Sequence, residues 1–441
     1  MTTLRLLAVG DIHLGRTPGS VPKDVAATRA ERDALGPREA WRRTVEAAIE
    51  ERAQAVLLLG DVVDDEERYL EGWGPLRSGV ERLLAHEIQV FAVAGNHDVR
   101  ILPQLARDVP GLRLVGADGH WEAVDLAGAA ARVVGWSYPR AHVRADPTLD
   151  AALDELCRAR TMGPTIGLIH GDLDASHSEY ARFSRARLST VGADLWLLGH
   201  VHVPSFGAAR AGSVPLGYLG SLTGLDPTET GVHGPWLLEF EGRALTAARQ
   251  LPLAPLRWER LDVPVDGWRS IADLQPGIAR AIAGFDERER SNLGAARAVG
   301  LRLALTGRSP VHRELRRELE RSDFGDFRPS IGTCITFVDA VVDEARPDFD
   351  LVELARGTDP AGLLAQRILA LDAPDGPLRA ERSRLLRLAR ATRQGVSERR
   401  EFLAVREPEP SDELLAAELR AAGLQALEEL LAARAEGAER P

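Results

Sequence analysis

Five times within the first 202 residues, an apolar run of strand length ends directly in a short polar motif. These stretches read AVGDIH, LLLGDVVD, AVAGNHD, GLIHGD and LWLLGHVH. A short apolar run that is bounded by turn residues is typical of a buried strand. Polar groups that follow the strands of an α/β sheet lie at the carboxyl ends, where such sheets bind their ligands. The pattern therefore predicts five motifs that converge on one rim.

Amphipathic helical patterns alternate with these apolar runs over residues 1–250, and this alternation predicts an α/β domain. Its predicted strands are Leu4–Val9, Ala55–Leu59, Val90–Ala94, Ala131–Trp136, Ile166–Ile169, Asp194–Leu198 and Trp236–Phe240. Its predicted helices are Glu39–Arg52, Leu76–His86 and Asp150–Arg160. After a linker with two prolines, strands alternate with helices again, which predicts a small α+β domain at 257–345. Residues 346–441 are rich in Leu, Ala, Arg and Glu and are predicted to be helical.

Composition, together with the absence of certain sequence patterns, argues against several classes of protein. The net charge of −11 argues mildly against a protein coated in nucleic acid. Lys23 is the only lysine and lies outside any Walker A frame, so no P-loop is predicted. No apolar run approaches the ~20 residues that cross a bilayer, and the first residues show no signal-peptide pattern. The two cysteines, Cys157 and Cys334, form no CxxC pair and cannot build a disulfide framework, so we expect the reducing cytoplasm. The lack of a long apolar run gives the further expectation of no membrane attachment.

Two of the motifs are built to point two side chains at one place. Asp11 and His13 are separated by one residue, and so are His200 and His202. In extended backbone, residues i and i+2 project to the same side, so each pair can face a single ion. Asp61 follows Gly60, which lets the backbone turn sharply. The two oxygens of Asp61 could bridge two ions.

The stretch Gly95–Asp98 reads Gly-Asn-His-Asp and separates several roles. Asn96 offers an amide oxygen to a metal, and His97 is predicted to face the substrate as a proton donor or electrostatic stabiliser. Asp98 is predicted to hold the imidazole of His97 in one tautomer. Asp64 is expected to orient a neighbour or to cap a helix. His177 and His233 fall in loops near the proposed rim and are candidates for substrate contact.

His170 ends another apolar run and completes a set of carboxylate, imidazole and amide donors. The predicted metal ligands are Asp11, His13, Asp61, Asn96, His170, His200 and His202. Mixed N and O donors without thiolate suit Mn, Fe or Zn better than Ca or Mg. Two divalent ions about 3.5–4 Å apart are the arrangement of two-metal hydrolases. The set therefore predicts a two-metal phosphoesterase.

The order DxH, GD, GNHD, H and GHxH across residues 9–202 resembles the calcineurin-like metallophosphoesterase superfamily. The stretches 170–202, 220–231 and 234–240 are similar to its SbcD/YhaO-type DNA repair exonuclease branch. This resemblance implies a two-sheet sandwich flanked by helices, a capping domain at 257–345, and C-terminal helices that grip an SbcC-type SMC-like ATPase. It also implies Mn²⁺ as the metal and His97 as the catalytic histidine beside the leaving group.

The resemblance divides the ligands between two ions that Asp61 bridges. One ion would take Asp11, His13, Asp61 and His202, and the other would take Asp61, Asn96, His170 and His200.

The leading hypothesis is a Mn-dependent DNA exo- or endonuclease subunit of an SbcCD-like repair complex, which could also form a homodimer. A phosphodiesterase or phosphatase for a small molecule or nucleotide would use the same metals. A third alternative is a scaffold with a vestigial site. The acidic stretch 64–74 is an unusual lining for a DNA groove. The arginines between Arg379 and Arg393 recur at helical spacing, which suits DNA phosphate, an acidic coiled coil or a solvated helix face.

Overall fold

The structure is a computed structural model that describes residues 3–126, 130–159, 161–207, 213–322, 324, 327–329, 331–373, 375–397 and 410–438. The chain divides into two compact units. Unit 1 comprises Met1–Val263, Leu274–Leu305 and Arg321–Asp343. Unit 2 comprises Pro264–Asp273, Thr306–Glu320 and Glu344–Pro441. The domain boundaries at 250–257 and 345–346 that the sequence suggests stay predictions.

Strands and helices alternate along the first 250 residues. The strands are β1 (Leu4–Val9), β2 (Ala55–Leu59), β3 (Gln89–Val93), β4 (Leu112–Leu114), β5 (Glu122–Asp125), β6 (Arg132–Gly135), β7 (Thr165–His170), β8 (Leu195–Gly199), β9 (Leu216–Tyr218), β10 (Trp236–Glu241) and β11 (Ala244–Gln250). The helices are α1 (Arg29–Asp33), α2 (Pro37–Glu50), α3 (Tyr69–Ala85), α4 (Ile101–Asp108), α5 (Ala151–Arg158) and α6 (Arg185–Leu188), with 3-10 turns at Glu66–Arg68, Ala117–Gly119 and Pro147–Leu149.

These strands form two sheets within the described residues. The first has six strands in the order β11-β10-β1-β2-β3-β4, and the second has five in the order β5-β6-β7-β8-β9. Strands β1 to β4 pair in parallel, as do β6 to β9. All five residues of β2 are buried, as a parallel strand covered on both faces requires. The carboxyl ends of the parallel strands in each sheet therefore share one edge.

Three buried clusters show how the layers pack. Between the sheets, Leu57 and Phe91 of the first sheet share a cluster with Leu168 and Leu197 of the second. On the outer face of the first sheet, α2, α3 and α4 contribute buried apolar side chains. On the outer face of the second sheet, α5 and α6 do the same. The predicted two-sheet sandwich flanked by helices is confirmed.

Helix α3 begins at Tyr69, seven residues before the predicted Leu76. Gly72, Gly74 and Pro75 lie in this first part, and both residue types disfavour a helix interior. Tertiary contact overrides that preference, because the indole N–H of Trp41 donates to the carbonyl oxygen of Pro75 at 3.0 Å. The helix is therefore held by packing against α2.

The remainder of the chain adds short strands and helices. The strands are β12 (Leu256–Pro264), β13 (Ala298–Thr306), β14 (Arg308–Ser309), β15 (Ile335–Asp343) and β16 (Arg346–Pro347). The helices are α7 (Leu274–Glu289), α8 (His312–Arg321), α9 (Leu351–Leu354), α10 (Pro360–Leu371), α11 (Arg379–Ser397) and α12 (Asp412–Ala438), with a 3-10 turn at Ile271–Asp273. In unit 1, β12, β13 and β15 form a sheet, in which Trp258 packs edge-on against Phe337 at 5.4 Å.

Unit 2 is held together by apolar contacts among its helices. Ile368 of α10 is buried with Leu424 and Leu427 of α12, and Leu386 of α11 is buried with Leu415 of α12. Much of the apolar stripe of α12 therefore packs on its own unit. Throughout the described part of the chain, no helix combines the length and the apolar character that crossing a membrane requires.

Candidate metal centre

All seven predicted ligands lie together, at the carboxyl ends of strands from both sheets. In the first sheet, Asp11 and His13 follow β1, Asp61 follows β2, and Asn96 follows β3. In the second sheet, His170 is the last residue of β7, and His200 and His202 follow β8. His200 links the two sheets, since its backbone N–H donates to Asp11 Oδ1 at 2.9 Å. The ligand roles themselves stay predictions.

Unusual backbone geometry aims several of these side chains. His13, Asp61 and His200 have φ values of 54°, 46° and 102°, in the region that non-glycine residues avoid. Such conformations cost of order 1–3 kcal/mol each and persist where the surroundings over-determine them. Gly95 is needed for space, because an added Cβ would lie 2.2 Å from Asp61 Oδ1. The local backbone is therefore shaped around the Asp61 carboxylate.

Asp11, His13 and His202 form the first cluster, in which one potential ligand atom per residue lies within 4.8 Å of the others. The Nδ1–H of His13 donates to Asp64 Oδ1 at 3.1 Å, and that of His202 donates to Glu229 Oε1 at 2.7 Å. Because carboxylates can only accept these bonds, each Nε2 carries a lone pair. The two Nε2 atoms face each other at 3.1 Å. A shared cation would turn this repulsion into attraction.

Asp61, His170 and His200 form the second cluster, and Asn96 joins it. The Nδ1–H of His170 donates to the carbonyl oxygen of Leu59 at 2.9 Å, so Nε2 is its ligand atom. That Nε2 lies 3.0 Å from Asn96 Oδ1 and 3.4 Å from Asp61 Oδ2. His200 Nδ1 lies 3.1 Å from the same Asn96 oxygen. Asp61 Oδ2 is also 4.0 Å from His13 Nε2, so this carboxylate lies between the clusters.

Burial of the two central carboxylates shows that the donor set fits divalent cations. Asp11 and Asp61 are at most 1% exposed. Among the described residues, their ion-pair partners are histidines, and neither is paired with an arginine or a lysine. Buried carboxylates need a compensating charge or a metal. Two divalent ions would supply that charge and use the converging lone pairs.

The proton affinities reflect this concentration of charge. Burial would raise the pKa of Asp61, but His170 and His13 beside it hold that pKa well below its ordinary range. Burial lowers the pKa of His170, and the carboxylates of Asp61 and Asp11 outweigh burial and raise it to about 9. The group of carboxylates therefore attracts positive charge strongly.

His97 and Asp98 are neighbours in the chain, but their side chains differ in exposure and in hydrogen-bond partners. His97 is exposed, and its Nδ1–H donates to the carbonyl oxygen of Asp64 at 2.9 Å. Asp98 is fully buried and accepts the backbone N–H groups of Val62 and Gly95 at 2.7 and 2.8 Å. The prediction that Asp98 holds the His97 tautomer is therefore corrected, since a backbone carbonyl does so. The catalytic assignment of His97 and Asp98 stays a prediction.

Asp98 instead ties the loop after β2 to the loop after β3. Burial and the nearby charge of Asp61 raise the pKa of Asp98 to about 7.

Glu229 is the residue that the motif analysis missed. It is 5% exposed, and burial would raise its pKa, but His202 and Ser221 bring that pKa down to about 2. It lies within the 220–231 stretch, but no periodicity or spacing marks a loop carboxylate as a partner of a histidine 27 positions earlier. His233 does not reach the rim: it is buried, and its Nδ1 and Nε2 lie 2.9 and 3.1 Å from the carbonyl oxygens of Ser221 and Glu229.

Comparison with known proteins gives the family. Residues 4–204 match the family described as Calcineurin-like phosphoesterase. Residues 4–204 are a calcineurin-like phosphoesterase domain. This phosphoesterase domain contains all seven predicted ligands and ends two residues after His202. Residues 258–324 match the family described as Metallophosphoesterase YhaO, middle domain.

Individual proteins match this chain at low identity. The chain is 27% identical over 249 residues to Uncharacterized metallophosphoesterase YhaO of Bacillus subtilis (strain 168), which covers 53% of this chain and 56% of that protein. The chain thus spans about half the length of that curated relative. The crystal structure of TT1561 of Thermus thermophilus has a TM-score of 0.35 and 17% identity, covering 56% of this chain and 99% of that one. A dimetal phosphatase from Danio rerio has a TM-score of 0.37 and 13% identity, covering 56% and 98%. For residues 4–204 the predicted superfamily is confirmed, and the SbcD-type branch stays a proposal.

Proposed function

We propose that this chain is a metal-dependent phosphodiesterase that cleaves DNA. The observation that carries the proposal is the convergence of seven nitrogen and oxygen donors into two adjacent clusters with Asp61 between them. A single-metal site would need only one of these clusters. As the family resemblance implies, the first ion would be held by Asp11, His13, Asp61 and His202, and the second by Asp61, Asn96, His170 and His200.

Bound divalent ions would supply Lewis-acid stabilisation of the charge that develops on phosphoryl oxygens. The residues of the chain orient the reaction. The Asp64 carbonyl fixes Nδ1–H of His97, so Nε2 is the nitrogen that can exchange a proton with a substrate. His97 is exposed at the rim while Asp11 and Asp61 are buried beneath it. A phosphodiester at this rim would meet His97 on its leaving-group side.

Support for DNA as the substrate comes from the sequence. The stretches 170–202, 220–231 and 234–240 resemble the SbcD/YhaO-type branch of DNA repair exonucleases. The chain also continues well beyond the phosphoesterase domain, with a stretch that matches the YhaO middle domain. An enzyme for small phosphoesters needs no such additions.

One structural observation favours the second candidate, a phosphodiesterase or phosphatase for a small molecule or nucleotide. Asp64, whose carbonyl oxygen binds His97, is followed by Asp65 and the exposed Glu67. Glu71 adds a further carboxylate in the first turn of α3. Carboxylates near the catalytic rim repel a polyanion more than they repel a small ester.

The test compares substrates under identical conditions. Purified chain is incubated with Mn²⁺, Fe²⁺ or Zn²⁺ and with single-stranded DNA, double-stranded DNA, nucleotide monoesters or cyclic nucleotides. We expect metal-dependent cleavage of DNA, with no cleavage in EDTA. Hydrolysis confined to the nucleotides would select the second candidate. No hydrolysis of any substrate, by the chain alone or together with an SbcC-type ATPase, would overturn the proposal.

Three variants connect the activity to the site. His97→Ala should lower kcat by about 10²–10⁴-fold with its metal content intact, because it removes a proton donor and no ligand. Asn96→Ala should lower both the activity and the content of one metal. His86→Ala removes an exposed histidine just after α3 and serves as the matched control, with activity unchanged.

We further propose that unit 2 docks an SbcC-type SMC-like ATPase. An apolar groove of about 700 Å³ lies among α10, α11 and α12, and Leu388 on its lining is half exposed. Arg384 and Arg390 of α11 pair with Glu381 and Asp412, so part of the arginine charge is already neutralised. This favours an apolar partner surface over DNA phosphate on α11. Leu388→Glu should abolish co-elution with the ATPase, and gel filtration of the chain alone tests the proposed homodimer.

A further inference from the structure

The side chain of Glu229 lies behind one of the two clusters and outside the matched phosphoesterase domain. Its Oε1 accepts the Nδ1–H of His202 at 2.7 Å. Its Oε2 accepts the hydroxyl of Ser221 at 2.7 Å and the backbone N–H of Leu225 at 3.1 Å. A buried carboxylate held by three donors has one orientation, and that orientation is set toward His202.

The loop that carries Glu229 is attached to the first cluster at its other end as well. The backbone N–H of Leu222 donates to the carbonyl oxygen of Asp11, and that of Ser221 donates to the carbonyl oxygen of His202, both at 2.9 Å. Beyond Glu229, the N–H of Gly231 donates to the carbonyl oxygen of Trp258 at 2.9 Å. The position of the carboxylate is therefore fixed relative to the ligands it serves.

The two clusters differ in what lies behind their histidines. In the first cluster, both His13 and His202 donate to a carboxylate, at 3.1 and 2.7 Å. In the second cluster, His170 donates to a backbone carbonyl, and His200 Nε2 lies 3.5 Å from Asp172 Oδ1. A carboxylate partner fixes the tautomer of a ligand histidine and raises its basicity more than a carbonyl does.

The ligands themselves add to this difference in charge. The first cluster contains Asp11 in addition to the shared Asp61, whereas the second contains the neutral amide of Asn96. Counting Asp64 and Glu229 for the first position and Asp172 for the second, more negative charge still surrounds the first position.

We propose that Glu229 is a positioning residue for His202 and, together with Asp64, makes the position of Asp11, His13 and His202 the tighter of two unequal metal positions. This inference rests on the proposed two-metal site but not on the identity of the substrate. Removal of such an outer carboxylate typically costs 10–100-fold in metal affinity. The effect falls on one binding step and leaves the other.

In the test, metal-free protein is titrated with Mn²⁺, and the EPR signal of free Mn²⁺ reports how much of the metal is bound. Wild type should bind two ions in separate steps. Glu229→Gln should weaken the tighter step about 10-fold and leave the weaker step within about 3-fold. Asp64→Asn should weaken the same step. Ser221→Ala removes a donor to Glu229 together with a contact to His233 Nδ1, and should have a smaller effect in the same direction. Glu239→Gln removes a half-buried carboxylate paired with Arg5 and is the matched control with both steps unchanged.

A spectroscopic readout separates positioning from general destabilisation. Two ¹¹³Cd resonances are expected from the cadmium-loaded protein, and Glu229→Gln should shift only one of them. Two equal binding steps in wild type, an effect of Glu229→Gln on the weaker step, or equal movement of both resonances would overturn the proposal. So would an equal loss of thermal stability in the metal-free and metal-loaded variant, since that marks a packing role.

The outcome is independent of the hydrolysis assay. Unequal binding that depends on Glu229, without cleavage of any phosphoester, would uphold this inference and defeat the proposed function. If Glu229→Gln cleaves a phosphodiester and its two binding steps are unchanged, the proposed function stands and this inference fails.

Discussion

Substitution of Gly95 by alanine is the most direct test of how tightly the backbone surrounds the Asp61 carboxylate. An added Cβ would lie 2.2 Å from Asp61 Oδ1, whereas ordinary contact begins at 3.4 Å. The difference requires a displacement of about 1.2 Å. The backbone nitrogen of Asp61 lies 2.7 Å from the same Cβ, so the main chain blocks the relief that a side-chain rotation would give.

The same displacement breaks a second contact. Asp61 Oδ1 accepts the backbone N–H of His97 at 3.0 Å, so moving it loosens the residue at the rim. A misplacement of about 1 Å in a catalytic site costs on the order of 10²-fold in rate. Overpacking of a closely packed site costs about 1–3 kcal/mol of stability. We therefore expect Gly95→Ala to fold with lower stability and to lose about 10²-fold or more in kcat/KM.

The assay combines hydrolysis of a chromogenic phosphodiester, elemental analysis for metal content, and urea unfolding. Gly74→Ala is the matched control, since an added Cβ there has no atom within 4 Å and the residue lies inside α3. That control should keep full activity and gain about 0.5–1 kcal/mol of stability from the loss of a helical glycine. Wild-type activity and two bound metals in Gly95→Ala would refute the reasoning, because Asp61 would then tolerate the displacement.

Three further predictions concern stability. Chelation with EDTA should lower the thermal unfolding temperature, because the buried Asp11 and Asp61 lose their counter-charge. At a free Mn²⁺ concentration of 100 times the Kd of a site, that site contributes about 2.7 kcal/mol of stability. Calorimetry with and without Mn²⁺ measures this difference. Hydrogen bonds from Arg42 hold the pKa of Glu39 at about 2, below its ordinary 4.5, so its stabilisation is complete above pH 4.5 and is lost as the pH falls toward 2. This loss should be about 1 kcal/mol in urea unfolding, because solvent screens the pair, and should vanish in Glu39→Gln. Leu427→Ala should cost about 2–5 kcal/mol in unit 2, because the side chain is fully buried against α10, and an unchanged urea midpoint would contradict this.

The arrangement of the ligands could be predicted because a general rule of sheet topology brings them together. Each motif follows an apolar run, and the carboxyl ends of parallel strands share an edge. The bounds of β1 and β2 agree with the predicted runs Leu4–Val9 and Ala55–Leu59 residue for residue. The sequence alone can therefore predict which site residues at strand ends come together.

The contacts of loop residues were not predictable in the same way. Asp98 turns inward to two backbone N–H groups because the torsion angles of its loop direct it there, and no periodicity reports those angles. Glu229 reaches His202 only after the chain has formed β9 and a further loop. The positive φ values of His13, Asp61 and His200 likewise depend on the assembled structure and not on residue type.

The seven donors come from two different sheets, so the distances between them depend on how the two sheets pack against each other. Asp61 belongs to one layer and His170 to the other, and the apolar side chains between the layers, such as Leu57 and Leu168, set the 3.4 Å between them. A core substitution that adds or removes one methyl group can therefore displace the donors and abolish activity, although no polar atom is changed. Selection on activity should consequently constrain residues of the interlayer core that never meet a substrate.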